Sequence, residues 1–148
     1  AGGALAEPLK EARDLAVKGD LGKALDVVRL AASSAPTPAE AFQGKLAMSQ
    51  LCLGASQWAI ARSQLDGLVK EIERHNLTAW DPLLCAEVYS GLYQSIKAMN
   101  EARRPKTPQA AAAAQGRPAV PPEEEAAEQA AFEMLCRLNP AEALKLSK

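Results

Sequence analysis

Apolar residues recur three and four positions apart along most of this chain, the spacing of one face of an α-helix. A first helix is predicted over 5–18, with Leu5, Leu9, Ala12 and Ala16 on its inner face. Pro8 falls in its first turn, where a missing N–H costs little. Gly19 ends that helix, and Asp20 is placed to cap a second over 21–34, with Leu21, Leu25, Val28 and Ala32 inward. Pro36 stops the second helix. Thr37 then reads as an N-cap, with Pro38 at the first helical position and Glu40 completing a capping box. The third helix carries Phe42, Leu46, Ser49 and Leu53 inward and closes at Gly54. A fourth, over 56–75, bears one stripe of Trp58, Ala61, Leu65, Leu68 and Ile72.

Asp81-Pro82 repeats the cap-plus-proline signal and opens a fifth helix that reaches about residue 102. Its apolar surface is wide, taking in Cys85, Val88, Tyr89, Leu92, Tyr93 and Ile96. A surface that broad must bury against more than one neighbour or against a partner chain. The stretch 103–122 differs in kind: it has five prolines, a five-alanine run over 110–114, and no large aliphatic residue but Val120. It reads as a flexible tether. Beyond it, a helix over 123–138 turns Ala127, Ala131, Met134, Leu135 and Leu138 inward, and Asn139-Pro140 caps a short last helix anchored by Leu144.

The expected architecture is all-α: a helical-hairpin bundle of six or seven helices whose first hairpins are tetratricopeptide-like. Gly19 and Ala24 precede Gly54 and Ala59 by 35 positions, close to the tetratricopeptide period. The domain reading is a five-helix body over 1–102, a linker over 103–122, and C-terminal helices over 123–148 that dock on the body or on a neighbouring chain.

Composition sharpens this picture by exclusion. Alanine dominates and aromatics are scarce, which favours helices. A formal net charge of −1 supplies no basic excess for phosphates, so nucleic acid is not expected as a partner. Cys52, Cys85 and Cys136 are odd in number and widely spaced; buried free thiols are expected, with a disulfide or metal site as the alternative. No apolar run is long enough to span a membrane. The Ala1-Gly2-Gly3 start has no charged or hydrophobic signal region and reads as a domain-boundary cut or a cloning remnant.

No catalytic, cofactor-binding or metal-binding constellation is visible, and neither a cofactor nor a small-molecule substrate is expected. The single histidine, His75, sits at the end of the fourth helix, where the dipole favours a cation. Ser33, Ser34 and Ser56 lie at helix ends, as caps do, and Lys70, Glu71, Glu73 and Arg74 form a solvated charged face. Arg13, Arg29, Arg62 and Arg137 are spread over four helices and could converge only in space. Trp80, just before Asp81-Pro82, either staples two helices or anchors a partner. Candidate interface residues are Trp80, Tyr89, Leu92, Tyr93, Ile96, Phe132 and Leu135.

From the third helix on, an ordered set of features becomes familiar: Leu46-Ala47, Leu51-Cys52-Leu53-Gly54, then Ala61, Leu65 and Leu68, then Glu71-Ile72-Glu73-Arg74-His75-Asn76-Leu77, then Trp80-Asp81-Pro82-Leu83. With Cys136-Arg137-Leu138-Asn139-Pro140 and Ala143-Leu144, this resembles the C-terminal region of TssA (VasJ/ImpA-like) proteins of the type VI secretion system, over roughly 46–146. Asn139 departs from the family's more usual aspartate, and the proline–alanine linker is longer than its typical connection. The resemblance implies a non-enzymatic, cytoplasmic assembly protein that forms rings of dimers. Its implied partners are the tail tube, the sheath and the baseplate of the secretion machine. The contrasting reading is a monomeric tetratricopeptide-like adaptor, gripping a partner terminus with basic side chains such as Lys18 and Lys45.

Overall fold

The computed structural model describes residues 6–113 and 115–147. Leu5, the Ala1-Gly2-Gly3 start, Ala114 and Lys148 lie outside the described residues. Every regular element among the described residues is a helix: α1 Ala6–Val17, α2 Leu21–Ser33, α3 Pro38–Gly54, α4 Trp58–His75, a 3-10 turn Leu77–Ala79, α5 Pro82–Arg103, α6 Pro108–Ala113, α7 Pro122–Leu138 and α8 Pro140–Leu146. The all-α expectation holds. The sixth helix lies within the proline–alanine stretch, where prolines fix φ and alanines supply propensity; it buries none of its residues.

Short turns lay α1 to α5 down as successive hairpins, each helix packed on the next. The chain then returns from the far end of α5 and lays α7 back along it, antiparallel, making the most extensive helix–helix contact of the fold. Two cores result. A small one joins Ala12, Ala24, Val28 and Ala47 of α1 to α3. The main one gathers Leu46, Leu65, Ile72, Val88, Ile96 and Leu135 with their neighbours from α3, α4, α5, α7 and α8. Helix α3 belongs to both, which ties the first hairpin to the body.

The repeat is real but runs at a different period from the one its glycines suggest. Gly19 ends α1 with φ +87°, yet Gly54 is still helical, and the left-handed turn after α3 falls on Ser56 at φ 58°. Gly19 and Ser56 are 37 positions apart. So are the wholly buried Ala24 and Ala61, and the wholly buried Ala12 and Ser49. Ala59, matched to Ala24 by the 35-residue spacing, is exposed.

The caps divide by how local their chemistry is. Thr37 Oγ1 accepts from the Glu40 N–H at 3.2 Å, Asp81 Oδ1 from Leu84 N–H at 3.1 Å and Asn139 Oδ1 from Glu142 N–H at 3.3 Å. The expected reciprocal arm of the first box does not form, since Glu40 Oε2 is buried without a partner. Asp20 does not cap α2; its carboxylate lies 3.4 Å from Lys23 Nζ instead.

Gly91, buried in α5, is where three helices meet. A Cβ there would stand 3.1 Å from Leu53 Cδ1 of α3 and 3.2 Å from Leu65 Cδ1 of α4. Gly91→Val is therefore expected to lower stability by roughly 1–3 kcal/mol through overpacking, read as a fall in the urea midpoint at unchanged slope.

Candidate functional site

Helix α5 carries four of the seven interface candidates, Tyr89, Leu92, Tyr93 and Ile96, and its residues sort onto different sides. One side faces α7. Tyr93 meets Phe132 with ring centroids 5.1 Å apart, and Lys97 Nζ lies 5.7 Å from the Tyr93 ring. Toward the end of α5, Asn100 is wholly buried and its amide donates to Glu128 Oε1 at 2.9 Å and to the Glu124 carbonyl at 3.3 Å. A buried amide whose two acceptors both lie on α7 fixes the register of α7 on α5, because a slipped helix would leave the donor unpaired.

Arg62 of α4 closes this arrangement from the other flank. Its guanidinium grips both carboxylate oxygens of Glu124, with Nη2 3.2 Å from Oε1, and its Nε lies 3.6 Å from Asp66. The Glu124 carboxyl is held below the usual carboxylate range, chiefly by the hydrogen bond from Arg62. Asp66 moves the opposite way, pushed up by burial even though Arg62 pulls it down. From this pair a groove of about 550 Å³ runs between α4 and α7, floored by Tyr89, Leu92 and Ile96 and flanked by Val69, Ala130 and Met134.

The interface candidates are thereby placed. Tyr89, Leu92, Tyr93, Ile96 and Leu135 are buried in the chain's own core, and Phe132 is half-buried against Tyr93. Their burial partner is α7 or α4 of the same chain, so in this arrangement they present little surface to a second one. Trp80 is different: it is 81% exposed, so it staples nothing. The turn it closes is held instead by Asn76 in the left-handed region and by the half-buried Leu77.

Trp80 heads a stripe that the periodicity of the buried face concealed. Trp80, Leu83, Glu87, Ser90 and Gln94 follow at alternating steps of three and four, so they share one side of α5 and the turn before it. Leu83 is 64% exposed. Lower down, Glu87, Ser90 and Gln94 line a polar cleft of about 340 Å³ with Gln50 of α3 and Asn139 and Glu142 of α8. The Glu87 carboxyl is pushed up by burial and by the nearby Asp81. Leu83 is the signal that could have found this surface, because an apolar residue stood outside the main stripe.

The remaining chemistry stays apart. Cys52 and Cys85 are buried and burial pushes both thiols up, away from reactivity. Cys136, expected inside, is exposed, because it lies on the outer side of α7. Among the described residues no three His, Cys, Asp or Glu side chains are placed to hold a metal ion. The scattered arginines do not converge on one patch: Arg29 pairs with Asp26, Arg62 with Glu124, and Arg137 donates to Met134 Sδ. Lys45, needed by the adaptor reading as a clamp, lies 3.3 Å from Glu71.

What these residues define is a helical-hairpin domain whose organised features are packing surfaces. A family model described as "Type VI secretion, EvfE, EvfF, ImpA, BimE, VC_A0119, VasJ" matches residues 2–92, and the chain belongs to that family. The match takes in both N-terminal hairpins and ends within α5, whereas the resemblance seen in the sequence began at the third helix and ran past the tether. No curated protein and no solved structure matches the chain. No helix among the described residues is long and apolar enough to cross a membrane.

The Arg62–Glu124 pair gives a signed expectation. A lowered folded pKa means that the unfolded chain binds the proton more readily, so this contribution is full above the ordinary carboxylate range and is lost as pH falls through it. Glu124→Gln should cost roughly 1–3 kcal/mol near neutral pH, and the difference from the unmodified chain should shrink as denaturation is followed toward pH 3. A difference independent of pH would contradict the assigned ion pair.

Proposed function

We propose that this chain is a non-enzymatic assembly domain of type VI secretion that self-associates and helps coordinate construction of the tail tube and sheath, at the baseplate or at the growing distal end. The observation that carries this reading is its membership of the VasJ/ImpA family over residues 2–92. The distribution of surfaces supports it. The domain buries Cys52, Cys85, Phe42, Tyr89 and Tyr93, yet leaves Trp80 and Leu83 in solvent at the head of α5. Large apolar side chains of that kind, Trp above all, concentrate binding energy in interfaces. The partners on this reading are further copies of the chain, together with components of the tail and baseplate.

The test is the solution mass by light scattering on a sizing column, over a concentration series. A discrete mass of several 15.6 kDa chains is expected. A monomer persisting at high micromolar concentration would overturn the self-association.

A further inference from the structure

The charges of this chain are distributed unevenly along α5. Between Glu101 and Glu123 there is no acidic residue, while Arg103, Arg104, Lys106 and Arg117 are all basic. Residues 103–108, Arg-Arg-Pro-Lys-Thr-Pro, are exposed throughout. Arg104 has φ −73° and ψ 137°, the backbone of a polyproline II helix. Arg103 closes α5 and Pro108 opens α6, so 104–107 form a short, exposed and positively charged connection between two helices, stiffened by Pro105.

The opposite end of α5 offers its complement. Trp80 and Leu83 are exposed, and the next residue of their stripe, Glu87, faces Glu142 of α8 across the polar cleft, with Asp81 close enough to raise the Glu87 carboxyl. None of Asp81, Glu87 and Glu142 makes an ion pair among the described residues. The basic residues nearest to Asp81 in sequence, Arg74 and His75, belong to the last turn of α4. An aromatic face beside carboxylates is the surface that receives a proline-containing basic segment: the ring packs on proline, and the carboxylates take the arginine or lysine.

We infer that residues 103–108 of one copy dock on the Trp80–Leu83–Glu87 face of a second copy. The contact deepens the self-association proposed above and rests on it. It cannot be made within one chain. Helix α5 has 22 residues and is about 33 Å long at 1.5 Å per residue. Six extended residues beginning at its C-terminal end span only about 20 Å and cannot return to its start. The contact is thus between chains; it either closes reciprocally, each copy's tail on the other's head about a two-fold, or propagates head-to-tail until the rotation closes a ring. Two copies placed face to face through the same surface would instead oppose like charges. Only a few residues dock, which is less than a stable pair normally buries, so the association depends on concentration, weakens with salt and gains from closure.

The experiment uses two full-length variants, Trp80→Glu with a damaged head and Arg104→Glu/Lys106→Glu with a damaged tail. Both changes are at exposed positions, so circular dichroism melting is expected to match the unmodified chain. In light scattering at equal total concentration, each variant alone should fall to a smaller unit than the unmodified chain, its association shifted at least about tenfold in concentration. An equimolar mixture should gain mass over either variant alone, up to a mixed pair held by the intact tail of one on the intact head of the other. Variants that keep the full mass would overturn this contact while leaving self-association standing. Variants that dissociate and form no mixed pair would overturn the pairing of this tail with this head. An unmodified chain that is monomeric throughout would remove both proposals.

Discussion

Helix α5 has more apolar surface than any one neighbour can cover, and the rest of the structure is arranged around that fact. Its Cys85, Val88, Tyr89, Leu92, Tyr93 and Ile96 are all buried, which at roughly 1.5–3 kcal/mol for each large side chain makes it the main source of stability. Helix α4 covers one flank, α7 another, and α3 and α8 cover the N-terminal half; Gly91 lets α3 and α4 come close. The long return from α5 to α7 follows from this. A fifth helix with two apolar flanks needs a cover that the preceding hairpin cannot supply, and the proline–alanine stretch spans the way back.

The cover is specified by polar groups rather than by fit alone. The inner side of α7 mixes Ala127 and Ala131 with the half-buried Phe132, Met134 and Leu138, and has Leu135 as its one wholly buried large residue. Small side chains would pack in more than one register, and Asn100 with Glu128, and Arg62 with Glu124, remove that freedom. Both pairs lie near the start of α7, so the helix is fixed at one end and held by apolar contact along the remainder. The groove toward the other end of α4 and α7 reflects that asymmetry.

Much of the fold was legible in the sequence because helices are announced locally. Thr37, Asp81 and Asn139 cap their helices as read, since each acts within four residues and precedes a proline. The failures were local too, and each has its own cause. Asp20 takes Lys23 rather than the helix end, Glu40 lacks its reciprocal bond, and the repeat counted on Gly19 and Gly54 breaks because Ser56, not Gly54, makes the second turn. The candidate site was legible in part. A wide apolar face tells that something covers it, not whether the cover is the same chain. Tyr89, Leu92, Tyr93, Ile96 and Leu135 therefore read as a face for partners, although α4 and α7 already occupy it. Trp80 alone of that set remains open to solvent, and its companion Leu83 was hidden by standing off the main stripe.

Hydrogen exchange on the intact chain tests most directly the claim that α5 is the spine and α7 its own cover. The slowest amides should lie within 88–96 of α5, and those of α7 around Ala131 and Leu135 should open with nearly the same free energy, while α1 and α2 open more easily from their smaller core. Free exchange along α7 beside a protected α5 would contradict the account, because it would mean that the apolar face of α5 is covered by something other than this chain's own helix.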